Sequence, residues 1–188
     1  MGAKRNRREL GAAWAADELA LARRSLWKAE VLEGFVVDLS HEWVALNVVW
    51  DVGLNGWSIV RLDTIREVTR TRSDSFLPRA LAWYDHHASP LPIELGTCHD
   101  LIAALATDFP LLTLFTEAED PTMCAIGRPV RLTNTKVHLL GISSDAEWAD
   151  EPQRLRLEDI TRIDVGGSYE RALHDLGGYP PIPGCKPA

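Results

Sequence analysis

The stretch "GFVVDLSHEWVAL", residues 34–46, reads as two β-strands with a polar Ser-His turn between them. Its apolar positions alternate, and β-branched and aromatic residues dominate, as a pleated and partly buried surface requires. Followed onward into "EWVALNVVW", residues 42–50, the second strand carries Val44, Leu46, Val48 and Trp50 on one face. The other face carries Trp43, Ala45 and Val49. A strand apolar on both sides is expected in the middle of a sheet.

The same sentence returns later in the chain. "GRPVRLTNTKVHL", residues 127–139, aligns Gly127 with Gly34, and Val130, Leu132, Val137 and Leu139 with Val37, Leu39, Val44 and Leu46. Downstream, "VRLDTIREV" (60–68) is answered by "LRLEDITRI" (155–163), matching Arg61-Leu62 to Arg156-Leu157, Ile65 to Ile160 and Val68 to Ile163. Between the two phrases, "DVGLNG" in one copy stands where the acidic "SSDAEWADEP" stands in the other. Each copy ends in a short helical piece, "FLPRAL" and then "YERAL". So many ordered matches, holding the period of two that strands impose, read as a tandem duplication.

Outside the repeated phrases, residues 9–27 are rich in Ala, Leu, Glu and Arg and predict a helix, with Leu10, Trp14 and Leu21 on one stripe. Asn55-Gly56 supplies a hairpin signal ahead of "WSIVRL" and "TIREVTRT", the next two strands. "ASPLPIEL" reads as an extended connection, because each proline restricts the residue before it. "TCHDLIAALATDF" opens with Thr97 and Asp100 in capping-box spacing and stops at Pro110. "LLTLFTEA" and "CAIGRPVRL" follow as strands. The expected organisation is a disordered basic tail (1–8), a first helix-plus-barrel repeat (9–88), a linker (89–96), a second repeat (97–178) and a disordered Pro-rich tail (179–188).

A helix followed by four or five short strands, with no βαβ alternation, favours a small barrel or strongly bent sheet that removes exposed edges. The glycine in the first strand, the long central strand and the closing "xRLxxI" phrase together resemble the Sm-like small barrel, over roughly residues 10–72 and 98–165. The resemblance implies a mainly β chain with short helices (α+β), built as two tandem Sm-like barrels forming a pseudo-dimer. It also implies an association with RNA. RNA-binding Sm proteins place an Asp and an Asn in an early loop and an Arg-Gly near the last turn. Here Leu62-Asp63 and Leu157-Glu158 occupy the latter place, and Asn47 lies within a strand.

Composition bounds the function. Over 188 residues, 46% hydrophobic and 25% charged content is that of a globular chain, and the formal net charge of −7 opposes phosphate binding. The one dense basic run is "KRNRR", Lys4 to Arg8. Three scattered cysteines suggest neither a disulfide framework nor a zinc site. No window is apolar enough to span a membrane and no leader-like segment is read, so a cytoplasmic protein is expected.

Four tryptophans, Trp43, Trp50, Trp57 and Trp83, crowd the first copy, whereas the second copy has Trp148. Copies diverge where they take different work, so the four make a candidate binding surface. "YDHHASP" holds Asp85, His86 and His87, a triplet that resembles the signature of metal-dependent phosphoesterases but follows a helical stretch instead of an apolar strand. Cys98 with His99 and Asp100 offers a nucleophile only if a histidine such as His86 or His87 reaches it from elsewhere. Asp63, Glu67, Glu158 and Asp159, beside Arg61, Arg66, Arg156 and Arg162, read as a solvated ion-paired face. The loop Asp145 to Glu151 lacks the spacing of a calcium site, and Gly166-Gly167 reads as a turn with Ser168 capping the last helix. These readings assign no catalytic residue, metal or cofactor. They favour a non-catalytic cytoplasmic binding or assembly module with a protein partner or self-association, and no membrane. An RNA-associated Sm-like protein is the first alternative. A metal-dependent hydrolase using Asp85, His86, His87 and Cys98 is the second.

Overall fold

A computed structural model describes residues 2–26, 28–120 and 123–180. It is mainly β with four short helices, and its ten strands form one open antiparallel sheet. Helix α1 (Gly2–Ala16) leads into β1 (Leu19–Arg24), β2 (Leu32–Leu39), β3 (Trp43–Trp50), β4 (Gly53–Arg61), a 3-10 turn (Leu62–Thr64), β5 (Ile65–Arg70) and α2 (Phe76–Trp83). Then come α3 (Cys98–Asp108), β6 (Leu112–Phe115), β7 (Cys124–Leu132), β8 (Lys136–Gly141), β9 (Gln153–Arg156), a second 3-10 turn (Leu157–Asp159), β10 (Arg162–Val165) and α4 (Ser168–Gly177). The strand order is β5-β1-β2-β3-β4-β10-β6-β7-β8-β9. Each half therefore runs last-first-second-third-fourth, and β4 joins β10 to make the seam between them.

Matching positions behave alike in detail. Gly34 faces Val48 across β2–β3, and Gly127 faces Gly141 across β7–β8. A Cβ at Gly34 would lie 2.6 Å from the Asn47 carbonyl oxygen, and one at Gly127 would lie 2.1 Å from that of Leu140. Only glycine lets the neighbouring strand approach so closely. Two residues beyond each glycine the register shifts by a bulge, between Val36 and Asp38 and between Pro129 and Arg131. The hairpin turns match as well: Trp43 N donates to Ser40 Oγ at 3.1 Å, and Lys136 N to Thr133 Oγ1 at 3.0 Å. Leu62 N donates to the Glu42 carbonyl, and Leu157 N to that of Thr135.

Two cores occupy opposite faces of the sheet. Leu10 and Ala13 of α1 pack with Ala20, Ala22, Leu32, Val36, Val44, Leu46, Val60, Ile65 and Val68. On the other face Leu101, Ile102 and Leu105 of α3 pack with Leu112, Leu114, Val137, Leu139, Ile160 and Ile163, joined by Trp43, Ala45 and Ile59. Strands β3 and β4 feed both cores, which is the physical reason for the two apolar faces of "EWVALNVVW".

Several expectations are corrected. The helix expected over 9–27 begins at Gly2 and ends at Ala16, so "KRNRR" lies in a helix instead of a disordered tail. Asp17 turns the chain at a φ of 51°, and "LALARR" becomes β1 between β2 and β5. Good helix formers adopt a strand there because Leu19, Ala20 and Ala22 are buried in the sheet, and tertiary packing overrides propensity. Asn55-Gly56 is not the hairpin turn. Asp51, with a φ of 57°, makes that turn, while Gly56 (φ +71°) sits within β4 where the register with β3 shifts. The two halves join through β4 and β10 into one open sheet, with no pairing of β4 to β5 or of β9 to β10 among the described residues. The linker 89–96 is anchored to the core through Leu91, Ile93 and Leu95. Of the Pro-rich tail, residues 181–188 lie outside the described part. Tyr179 within it packs edge-on against His174 with ring centres 4.8 Å apart.

The two outer edges are blunted. At β5, Asn6 of α1 donates to the Ile65 carbonyl at 2.9 Å, and Arg70 is held by Glu18 at 2.9 Å. At the other end β9 has four residues, follows Pro152 and carries Arg154 and Arg156. Short length, proline and charge all oppose edge-to-edge pairing with another sheet.

Candidate functional site

The four first-copy tryptophans divide two and two. Trp43 is fully buried beneath the Arg61 guanidinium, which lies 4.9 Å from its ring centre. Trp57 packs edge-on to Phe109 and donates Nε1 to the Ser89 carbonyl at 2.9 Å, fastening the linker. These two are structural and leave the candidate surface. Trp50 and Trp83 face solvent, at 66% and 85% exposure.

Trp83 belongs to a larger feature that sequence reading missed. Helix α2 buries Leu81 on its inner side. On its outer side Phe76 (76% exposed), Trp83 (85%) and Tyr84 (61%) surround Arg79 and Ala80. With Val52 of the β3–β4 turn these residues line an open groove of about 370 Å³. Helical spacing puts positions 76, 80 and 83 on one stripe, opposite the inward Leu81. The local sequence "FLPRALAWY" is apolar apart from Arg79, so it does not by itself show which side faces inward. Its amphipathic reading needs to know which single residue points inward.

The histidines that follow α2 and Cys98 do not converge. His87 Nε2 lies 2.9 Å from Asp85 Oδ1, with both side chains exposed. His86 reaches toward Gly53, where a Cβ would lie 3.8 Å from its Nε2. Cys98 lies buried near Arg61, at the opposite end of β4. Nine residues of strand at ~3.3 Å each separate those ends by roughly 26 Å. No Cys98–His86 dyad can form. Burial pushes the Cys98 thiol up to about 11 despite the opposing pull of Arg61, which suits a core residue and not a nucleophile. Among the described residues, no three His, Cys, Asp or Glu side chains form a group able to hold a metal. Cys98 does stand behind Thr97, whose Oγ1 accepts from Asp100 N, so the expected helix cap is present.

The charged residues of the repeated phrase serve three ends. Arg156 pairs with Asp159 at 2.6 Å and Glu158 at 3.2 Å on the surface, as expected. Arg61 instead donates to the carbonyls of Ile160 (2.8 Å) and Leu157 (3.3 Å) across the seam. Arg162 is buried, stacked 4.3 Å over Phe115 and paired with Asp164 and with Glu30 at 2.8 Å. The solvated-face reading fails for these two because the seam buries them. Burial raises the Asp164 carboxyl, with Arg162 opposing. Beside this cluster a cavity of about 370 Å³ opens between β2, β3, β4, β10 and α4, bounded by Trp50, Trp57 and Tyr169. All three Arg162 nitrogens are engaged by Glu30 and Asp164, so the cluster is committed to holding the seam.

A second buried cluster crosses the same seam. Arg24 Nε donates to Thr64 Oγ1 at 3.1 Å, and its terminal nitrogens reach Glu117, which also accepts from Thr161 Oγ1 at 2.6 Å. Asn55 Oδ1 accepts from Ser168 N at 2.7 Å and caps α4 from the first half, so Ser168 is not itself the cap. Asn47 bonds the Gly56 carbonyl and Ser89 N through the two ends of its amide. Lys4, Arg5, Arg7 and Arg8 are exposed on the N-terminal half of α1. No described helix is long and apolar enough to cross a membrane. No family model, curated protein or solved structure matches the chain.

Proposed function

We propose that the chain is a non-catalytic cytoplasmic binding and assembly module, built as a pseudo-dimer of two Sm-like small barrels. The observation that carries the reading is the outer face of α2, where Phe76 and Trp83 stand exposed on a regular helix with Tyr84 exposed at its C-cap. A contiguous aromatic patch costs solubility, and monomeric proteins keep such patches small unless a partner covers them. Aromatic anchors also dominate the energetics of protein interfaces. The repeated strand order, the paired glycines Gly34 and Gly127, the matching bulges and the two 3-10 turns support the duplicated architecture. With the sheet edges blunted, the α2 face is the surface best suited to a protein partner.

Affinity purification of wild-type protein beside a Trp83→Glu variant tests this. A stoichiometric protein, whether a second copy or a different chain, should accompany the wild type and be lost from the variant. Equal recovery with both would remove the reading. The RNA-associated alternative draws on the exposed cations of α1. It requires affinity that falls steeply with salt, and salt-independent or absent RNA binding would end it. The hydrolase alternative has no geometric support, because Cys98 is buried at the far end of β4 from His86.

A further inference from the structure

We infer that the occupant of the α2 face is a second copy of the same chain, packed α2 against α2 about a two-fold axis at Ala80. The inference rests on the binding-module reading and names its partner. The stripe on α2 is self-complementary. In an antiparallel pair centred on Ala80, that small residue lies at the crossing point, where helices need close approach. Phe76 of each copy then meets Tyr84 of the other, and Trp83 lies over the helix on the side of Leu77. A two-fold contact requires that one patch serve both partners in this way.

The area is of the right order. At the exposures of Phe76, Trp83 and Tyr84, and at ~150–250 Å² for a buried aromatic side chain, the face offers roughly 500 Å² per copy. A two-fold pair would therefore cover roughly 1,000 Å², the lower limit for a specific interface. That size predicts a reversible dimer of modest affinity, not an obligate one.

The helix ends agree with the arrangement. Ser75 is the N-cap of α2, yet its side chain makes no capping bond and donates instead to the Arg72 carbonyl. The first-turn N–H groups of α2 thus carry no side-chain cap, and the same two-fold brings Asp85 of the other copy, with the His87 it is paired to, to that end. An aspartate is unfavourable at the C-terminus of its own helix and favourable at the N-terminus of a partner's.

Sedimentation velocity over a concentration series, from low micromolar to hundreds of micromolar, tests the proposal on the full chain. The wild type should move from monomer toward twice the monomer mass. Trp83→Glu should stay monomeric throughout, with an unchanged circular dichroism spectrum because the side chain is exposed. Leu176→Ser, at another highly exposed apolar position on α4, should dimerise like the wild type. An Ala80→Cys variant in a Cys124→Ser, Cys185→Ser background should form a disulfide-linked dimer on mild oxidation, and an Arg171→Cys variant should not. A wild type that is monomeric at every concentration overturns the proposal, as does a dimer that Trp83→Glu leaves intact. If the wild type is monomeric but still captures a different protein through Trp83, self-association falls and the binding-module reading stands. If the Trp83 change alters neither, both fall.

Discussion

Arg24 and Glu117 form the most demanding contact in the molecule, because their side chains are 0% and 2% exposed and belong to different halves. Burial pulls the Arg24 guanidinium below its ordinary value and the Glu117 carboxylate opposes that pull. Replacing Arg24 with Met removes the charge that balances Glu117, leaving a buried carboxylate with Thr161 Oγ1 at 2.6 Å as its remaining side-chain donor. Breaking one partner of a buried pair costs about 3–5 kcal/mol. Against a total stability of about 5–15 kcal/mol, that is roughly a fifth of the whole or more. At about 2–4 °C per kcal/mol for a chain of this size, the melting temperature should fall by roughly 6–20 °C. The paired change Arg24→Met with Glu117→Leu removes both charges together and should recover most of the loss, ending within about 1–2 kcal/mol of the wild type. Urea unfolding followed by circular dichroism and tryptophan fluorescence measures all three proteins. The reasoning fails if Arg24→Met costs under about 1 kcal/mol, or if the double variant is no better than the single.

Gly34→Ala and Gly127→Ala should each destabilise by about 1–3 kcal/mol, because each added methyl meets a neighbouring carbonyl; a neutral result in thermal melts would show that the strands can part. Asn47→Ala strips the partners from Ser89 N and the Gly56 carbonyl and should cost about 1–3 kcal/mol, with faster proteolysis in 89–96; unchanged protease resistance there would show that Asn47 does not hold the linker. In native protein, Cys124 should react with a thiol reagent at pH 8 faster than Cys98: Cys124 is exposed, its thiol raised by partial burial and the Asp164 carboxylate, whereas Cys98 is buried with its thiol near 11; equal rates measured by mass spectrometry would contradict this placement. Lys4→Glu should raise stability by about 0.3–1 kcal/mol, through the helix dipole and a new i,i+4 attraction to Arg8, and a loss in chemical denaturation would reveal a structural role for the basic run.

Much of the fold was legible, for identifiable reasons. The strands around Gly34 and Gly127 announced themselves through alternation, and the central place of β3 through its two apolar faces. Strand β1 was hidden because "LALARR" has the composition of a helix, and only pairing with Leu32–Phe35 on one side and Ile65–Arg70 on the other makes it extended. The Asn55-Gly56 signal was real chemistry put to another use: the glycine serves a bulge within β4, while Asn55 caps α4 across the seam. Of the four tryptophans offered together as a surface, Trp50 and Trp83 are exposed, whereas Trp43 and Trp57 share their composition and not their environment. Phe76 and Tyr84 escaped notice, since nothing local distinguishes an apolar residue that faces water from one that faces the core.

By itself the sequence determined the period-two strands, the repeated order of positions, the glycines at close approaches and the cap of α3. These depend on local sterics and on alternation, which neighbours along the chain settle between them. Only the tertiary structure decided that β4 would pair with β10, that Arg24, Arg61 and Arg162 would be drawn into the seam, and that α2 would turn its aromatic side outward. Those outcomes depend on contacts between residues about a hundred positions apart, and burial at such distances is a property of the whole packed chain.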